Sequence, residues 1–248
     1  DRSPSRGLGD VYKRQALWNK NMYRRMELDT KLLLAALLTI VICYGSIATM
    51  KLLIIPFLST AGRSYFFPWI LALPQVFLVV FVSALCFRYR VIRYKDLGFQ
   101  APSFRNSYFL AFLCVMANIT LVVIYMIIAT YFGVKFLYTP EIPKDILGFG
   151  WFIFPNLFAI CIWVPVIEEL FFRGFLLRLF MRRWGTFSAV VMSSSVFAVL
   201  HGHIGLLIPL FICSIVISLL YIRSGSIYPS ILAHAGGNLS VSLVAASA

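Results

Sequence analysis

The chain has 248 residues, of which 61% are hydrophobic and only 12% charged, with a formal net charge of +13. A soluble domain of this size carries about a quarter charged residues, so the composition excludes an ordinary soluble fold and identifies a protein integral to a bilayer. Cys43, Cys86, Cys114, Cys161 and Cys213 stand singly in apolar runs with no C-x-x-C and no metal-ligand spacing, a pattern that fits packing.

Taken from the N-terminus, residues 1–15 are set aside as non-native read-through, because Asp10 to Gln15 resembles a translated sequencing adapter and Asp1 to Gly9 has a disordered composition. Residues 16–31 read as a basic cytoplasmic segment and residues 32–248 as one membrane-embedded domain. A spanning helix needs about 20 apolar residues. On that measure the fold class is an all-α polytopic bundle of about seven spans: Leu32 to Ile55, Phe66 to Phe87, Tyr108 to Phe132, Phe149 to Met181, Phe187 to His201, Ile204 to Ile222 and Ile227 to Ala246. The fifth is short and expected deep in the bundle.

Basic residues between the spans set the orientation, since Lys and Arg concentrate on the cytoplasmic side. Thirteen fall on one side (Lys20, Arg24, Arg25, Lys31, Arg88, Arg90, Arg93, Lys95, Arg105, Arg178, Arg182, Arg183 and Arg223) and four on the other (Lys51, Arg63, Lys135 and Lys144). The N-terminus is therefore expected to be cytoplasmic, in a bacterial cytoplasmic membrane. The positive charge answers to the lipid bilayer and calls for no nucleic-acid partner.

Seven of the nine acidic residues, Asp1, Asp10, Glu27, Asp29, Asp96, Glu141 and Asp145, lie outside the apolar runs. The other two, Glu168 and Glu169, sit inside the run from Ile160 to Arg173, where an ionisable group costs several kcal/mol unless it is paired, wet or chemically employed. At about 1.5 Å per residue, Glu168 lies roughly 20 Å in from Met181, His201 roughly 20 Å in from Phe187, and His234 roughly 10 Å in from Ile227, with Asn238 one turn deeper. Four polar groups on three helices thus share a band opening toward mid-membrane and the cytoplasmic face. Glu169 and Arg173, four apart with the acid first, are set for an ion pair on one face, and Glu168 points about 100° away. Two readings follow: Glu168 and a histidine activate water while Asn238 and the other histidine stabilise an oxyanion, or the four form a structural polar network. His203 is expected at the interface. Ser193, Ser194 and Ser195 are expected to pack or to hydrogen-bond between helices, and Trp151, Trp163 and Trp184 to face lipid or the interface.

Glu168-Glu169-Leu-Phe-Phe-Arg173, Phe197-Ala-Val-Leu-His201 and His234-Ala-Gly-Gly-Asn238 resemble the E-E-x-x-x-R, F-x-x-x-H and H-x-x-x-N motifs of the CPBP family, the CAAX proteases and bacteriocin-processing (Abi) enzymes. The likeness runs from about Pro165 to Asn238, with Asp96-Leu-Gly-Phe99 ahead of it. It implies an intramembrane endopeptidase acting on membrane-associated peptides or proteins. Glu168 and His201 would activate water, His234 and Asn238 would stabilise the transition state, and Glu169, Arg173 and Phe197 would support them. Ser214 and Ser218 replace the glycines usual in the penultimate helix, and residues this small still permit close helix approach.

No H-E-x-x-H, G-x-S-x-G or intramembrane aspartate is present. Two versions of the protease remain: a metal-free glutamate and histidine couple, which we favour, or a zinc site with Glu168, His201 and His234 as ligands. Peptide maturation and bacteriocin self-immunity are the roles the resemblance implies. A catalytically silent membrane protein of the same fold is the alternative.

Overall fold

A computed structural model of the chain describes residues 4–88, 93–140 and 147–247, without the side chains of residues 4–25, 60, 61, 88, 94 and 245. Arg90, Glu141, Lys144 and Asp145, and the side chains of Asp1, Asp10, Lys20, Arg24, Arg25 and Arg88, lie outside this description.

With no water in the hydrocarbon to satisfy the peptide groups, the apolar runs must close their own hydrogen bonds as helices. In chain order these are α1 (Pro4–Leu53), α2 (Thr60–Ala72), α3 (Val76–Ser83), α4 (Ser107–Tyr131), α5 (Ile153–Phe158), α6 (Val164–Glu169), α7 (Arg178–Leu200), α8 (Ile204–Ser224) and α9 (Tyr228–Ser247). Among the described residues, five helical stretches are long and apolar enough to cross a membrane: Met26–Phe57, Gly62–Phe87, Ser107–Tyr131, Gly150–Leu200 and Ile204–Ser224. The fourth joins the two helices expected at Phe149 to Met181 and Phe187 to His201. Gly185, at φ 77° and ψ 170°, interrupts it where the gap between them was expected. The last helix, α9, is not among the five.

One expectation needs correction. Trp163 is only half-buried toward lipid, and its indole N–H donates inward to the Ala72 carbonyl at 2.9 Å; a buried polar edge needs a partner.

Residues Asp1–Leu38 form one compact unit and Thr39–Ala248 another. In the second unit α4, α8 and α9 share a core of Ala111, Val115, Ile217, Leu220 and Ala233. Lipid gives no hydrophobic drive to helix association, so small residues and close backbones must supply it. Ser214 and Ser218 are accordingly buried on α8, and a Cβ on Gly236 would come within 2.8 Å of Val115. Ser193 donates to the Phe172 carbonyl at 3.5 Å and Ser195 to that of Val191 at 2.9 Å. His203 caps α8, its Nδ1 accepting from the Gly205 amide. Ile127, Val199 and Val244 stay exposed, as lipid-facing side chains should.

The segment around Asp96-Leu-Gly-Phe99 straps the α8–α9 turn. Tyr221 Oη donates to the Leu97 carbonyl at 3.2 Å, the Ile227 amide to the Gly98 carbonyl at 3.0 Å, and Ser226 Oγ to the Gln100 carbonyl at 2.7 Å. A cavity of about 500 Å³ opens beside it, lined by Asp96, Phe175, Arg178, Arg182 and Tyr221 among others, and none of the motif carboxylates or histidines reaches it. Its charges have protein partners. Arg93 donates from Nε and Nη2 to Asp96, both at 3.1 Å, and holds that carboxyl below the usual carboxylate range, while Arg178 donates to the Tyr221 hydroxyl. Gly98 is the tight point, with φ +92° and a hypothetical Cβ 2.9 Å from the Tyr221 ring. Gly98→Ala should therefore cost about 1–3 kcal/mol, measured as a fall in melting temperature of the detergent-solubilised protein.

Candidate active site

The two glutamates sit at the end of a six-residue α-helix flanked by wider π turns, Ala159–Trp163 before it and Leu170–Leu177 after it. Pro165 gives the physical reason for the first. It has no N–H to donate back to the Cys161 carbonyl, and the turn relaxes to the wider spacing, with the Val164 amide bonding Ala159. In that register the Ile160 carbonyl would also look to Pro165, so it is left without a backbone donor. Asn238 of α9 supplies one, Nδ2 donating to Ile160 O at 2.9 Å. Such π turns recur at functional sites because they redirect side chains.

Glu169 and Arg173 are both fully buried. Arg173 donates through Nη1 to Glu169 Oε1 at 2.7 Å and through Nη2 to the Oγ and carbonyl of Ser214 at 2.9 and 3.2 Å. Its guanidinium lies 4.9 Å from the centre of the Phe197 ring. His234 Nδ1 stands 2.9 Å from the same Glu169 Oε1. A carboxylate can only accept, so Nδ1 carries the proton and the ring is turned with Nε2 toward Glu168.

Glu168, 4% exposed, faces away from that pair. Its Oε1 accepts from Gln75 Nε2 at 2.8 Å. Its Oε2 has no hydrogen-bond partner and lies 3.8 Å from His234 Nε2, too far for a direct bond but close enough for one water to reach both.

His201, at the C-terminal cap of α7, is exposed. Its Nδ1 is 2.8 Å from the Phe197 carbonyl; donation there leaves Nε2 with its lone pair, the form a base requires. The Phe197 ring bridges the two imidazoles, with centroids 4.8 Å from His201 and 5.7 Å from His234. Glu168, Glu169, Arg173, Phe197 and His234 thus form one cluster, which His201 joins through Phe197, whereas Asn238 reaches α9's neighbour through Ile160. Among the described residues no three His, Cys, Asp or Glu side chains are grouped so as to hold a metal ion.

Sequence reasoning missed Gln75 and took Ser214 only as a packing residue. Gln75 breaks an otherwise apolar run, Leu71 to Phe81, and that is the same anomaly that singled out the glutamates.

Arg173→Ala would strand Glu169 and His234 in a dry site. Breaking a buried pair from one side costs about 3–5 kcal/mol, so the variant should melt well below the parent; unchanged melting would remove Arg173 from its structural place.

Residues 150–240 match the Rce1-like family, described as type II CAAX prenyl endopeptidase Rce1-like. No curated protein and no solved structure matches the chain. The matched segment contains every residue of the glutamate, arginine and histidine cluster, together with His201 and Asn238, so the likeness to CAAX proteases falls on the site itself.

Proposed function

We propose that the chain is an intramembrane endopeptidase that hydrolyses a peptide bond near the lipid-modified C-terminus of a membrane-associated peptide or protein, with Glu168 and His201 activating water. The observation that carries this reading is a buried carboxylate oxygen, Glu168 Oε2, left without a partner beside His234 Nε2, in a segment matching CAAX prenyl endopeptidases. Buried acceptors are almost always satisfied, and a water at that oxygen would serve as the nucleophile.

In this reading Glu168 takes a proton from the water as its oxygen attacks the scissile carbonyl, and His201 Nε2 assists as the second acceptor. The carbonyl oxygen becomes an oxyanion. Asn238, with one amide N–H on Ile160, keeps a second N–H for it, and His234 donates from Nε2 when its ring is doubly protonated. Collapse of the adduct expels the amine, which recovers the proton from the glutamate and histidine couple. Glu169 and Arg173 hold His234 in register. We favour the metal-free version over a zinc site on Glu168, His201 and His234. The basic asymmetry supports a cytoplasmic N-terminus and a site opening toward that side. Maturation of membrane-bound peptides and self-immunity to bacteriocins are settings such an activity would serve.

Purified protein should cleave an internally quenched, farnesylated peptide ending in a Cys-aliphatic-aliphatic-X sequence. Glu168→Gln and His201→Ala should each lower kcat/KM by about 10²–10⁴ while remaining folded, the latter because His201 is exposed and carries little packing. Wild-type turnover by Glu168→Gln would sink the assignment, and a folded wild type that cleaves no membrane-anchored peptide would favour a silent binding protein. Activity should also survive prolonged chelation. Stoichiometric zinc that is lost in His234→Ala would recast Glu168, His201 and His234 as ligands.

A further inference from the structure

We infer that Gln75 is a positioning residue for Glu168, fixing which of its carboxylate oxygens faces the reacting water; the inference rests on the proposed role of Glu168. Gln75 lies at the end of the tight Leu73–Gln75 turn between α2 and α3, far from the motifs in sequence, and is 3% exposed. Its Nε2 donates to Glu168 Oε1 at 2.8 Å. The turn is fixed from the same direction by a second cross-link, Trp163 Nε1 to Ala72 O at 2.9 Å. Gln75 is thus anchored to the helix that carries the glutamate, through residues on either side of Pro165.

Glu168 sits among groups that would otherwise draw it elsewhere. Arg173 and Glu169 lie one turn and one residue on, His234 Nε2 is 3.8 Å from Oε2, and the buried Tyr44 hydroxyl, with no hydrogen-bond partner, stands near the carboxylate. With Oε1 held by the amide, Oε2 is the oxygen left open. Without that bond the carboxylate is free to rotate about its terminal torsion, which is broad and roughly two-fold, and the open oxygen is no longer defined.

An amide suits this post better than a cation would. Gln75 Oε1 has no partner. When Glu168 takes the proton, rotation of the amide lets Oε1 accept from the carboxylic acid, so the same side chain holds Glu168 in both protonation states. A lysine or arginine there would hold only the ionised form.

The test compares Gln75→Met, which keeps the length of the side chain without a donor, Gln75→Asn, which sets the amide one methylene back, and Gln75→Glu, which puts a second carboxylate against the first. Each is assayed on the farnesylated quenched peptide in lipid nanodiscs beside wild type and Glu168→Gln. Loss of a hydrogen bond to a charged group corresponds to a rate effect of about tenfold or more. Gln75→Met should therefore lower kcat by about that factor with KM within about twofold, the pattern of an interaction that acts on the chemical step. Gln75→Asn should fall between it and wild type, and Gln75→Glu below both, since adjacent carboxylates must share a proton. Should Gln75→Met fail to fold, the Gln75→Asn kinetics decide. Wild-type kcat in a folded Gln75→Met or Gln75→Asn protein, alongside an inactive Glu168→Gln, overturns the positioning role alone. So does a loss confined to KM or to melting temperature. An active Glu168→Gln, or a wild type that leaves the peptide intact, overturns the functional reading and this inference with it.

Discussion

The arrangement depends on one buried cation. Arg173 is enclosed completely, in a setting where an unpaired charge is prohibitively expensive, and both of its terminal nitrogens go to fixed partners: Glu169 on its own helical stretch and Ser214 on α8. Glu169 in turn takes His234 of α9 on the same oxygen. The ion pair is thus a clamp on three helices, and the Phe197 ring beneath the guanidinium brings in α7. Such a pair adds little net stability compared with a well-packed apolar substitute. What it adds is rotational register, because a helix turned by one residue would bury the charges without partners.

Adjacent carboxylates divide the work because consecutive residues on a helix point about 100° apart. Glu169 turns into the clamp. Glu168, swung to the other side, meets one amide, and keeps an oxygen without a partner. Each carboxylate keeps one buried oxygen without a partner, but Glu169 commits its other oxygen to the clamp, while the open oxygen of Glu168 stands 3.8 Å from His234 Nε2.

Pro165 reaches the site by way of the backbone. By denying a donor to the preceding turn it widens the helix just before the glutamates and leaves the Ile160 carbonyl to be satisfied from α9 by Asn238. Asn238 therefore has a structural attachment as well as whatever chemistry its other N–H performs. The strap around Gly98 holds the opposite end of α8 and α9, so the α9 residues His234 and Asn238 are carried on a helix anchored near its start.

Much of this was legible in the residues. Length and hydropathy place the helices, because lipid allows few other structures. The i, i+4 spacing anticipates the Glu169–Arg173 pair, and two charges inside an apolar run mark the site. Other features were not legible. Gln75 lies 93 positions from Glu168, and an uncharged amide weighs little against charged neighbours in a hydropathy reading. Trp163 reads as interfacial by type but turns inward, since Ala72 O offers its N–H a partner. Helical periodicity says which side of its own helix a residue occupies, and so the sequence by itself determined membrane class, helical content and the residues too polar to lie idle. Which helices face one another, which glutamate oxygen stays open and which distant amide holds the other were decided only by tertiary packing, because those choices depend on rotations and separations between helices that no single helix encodes.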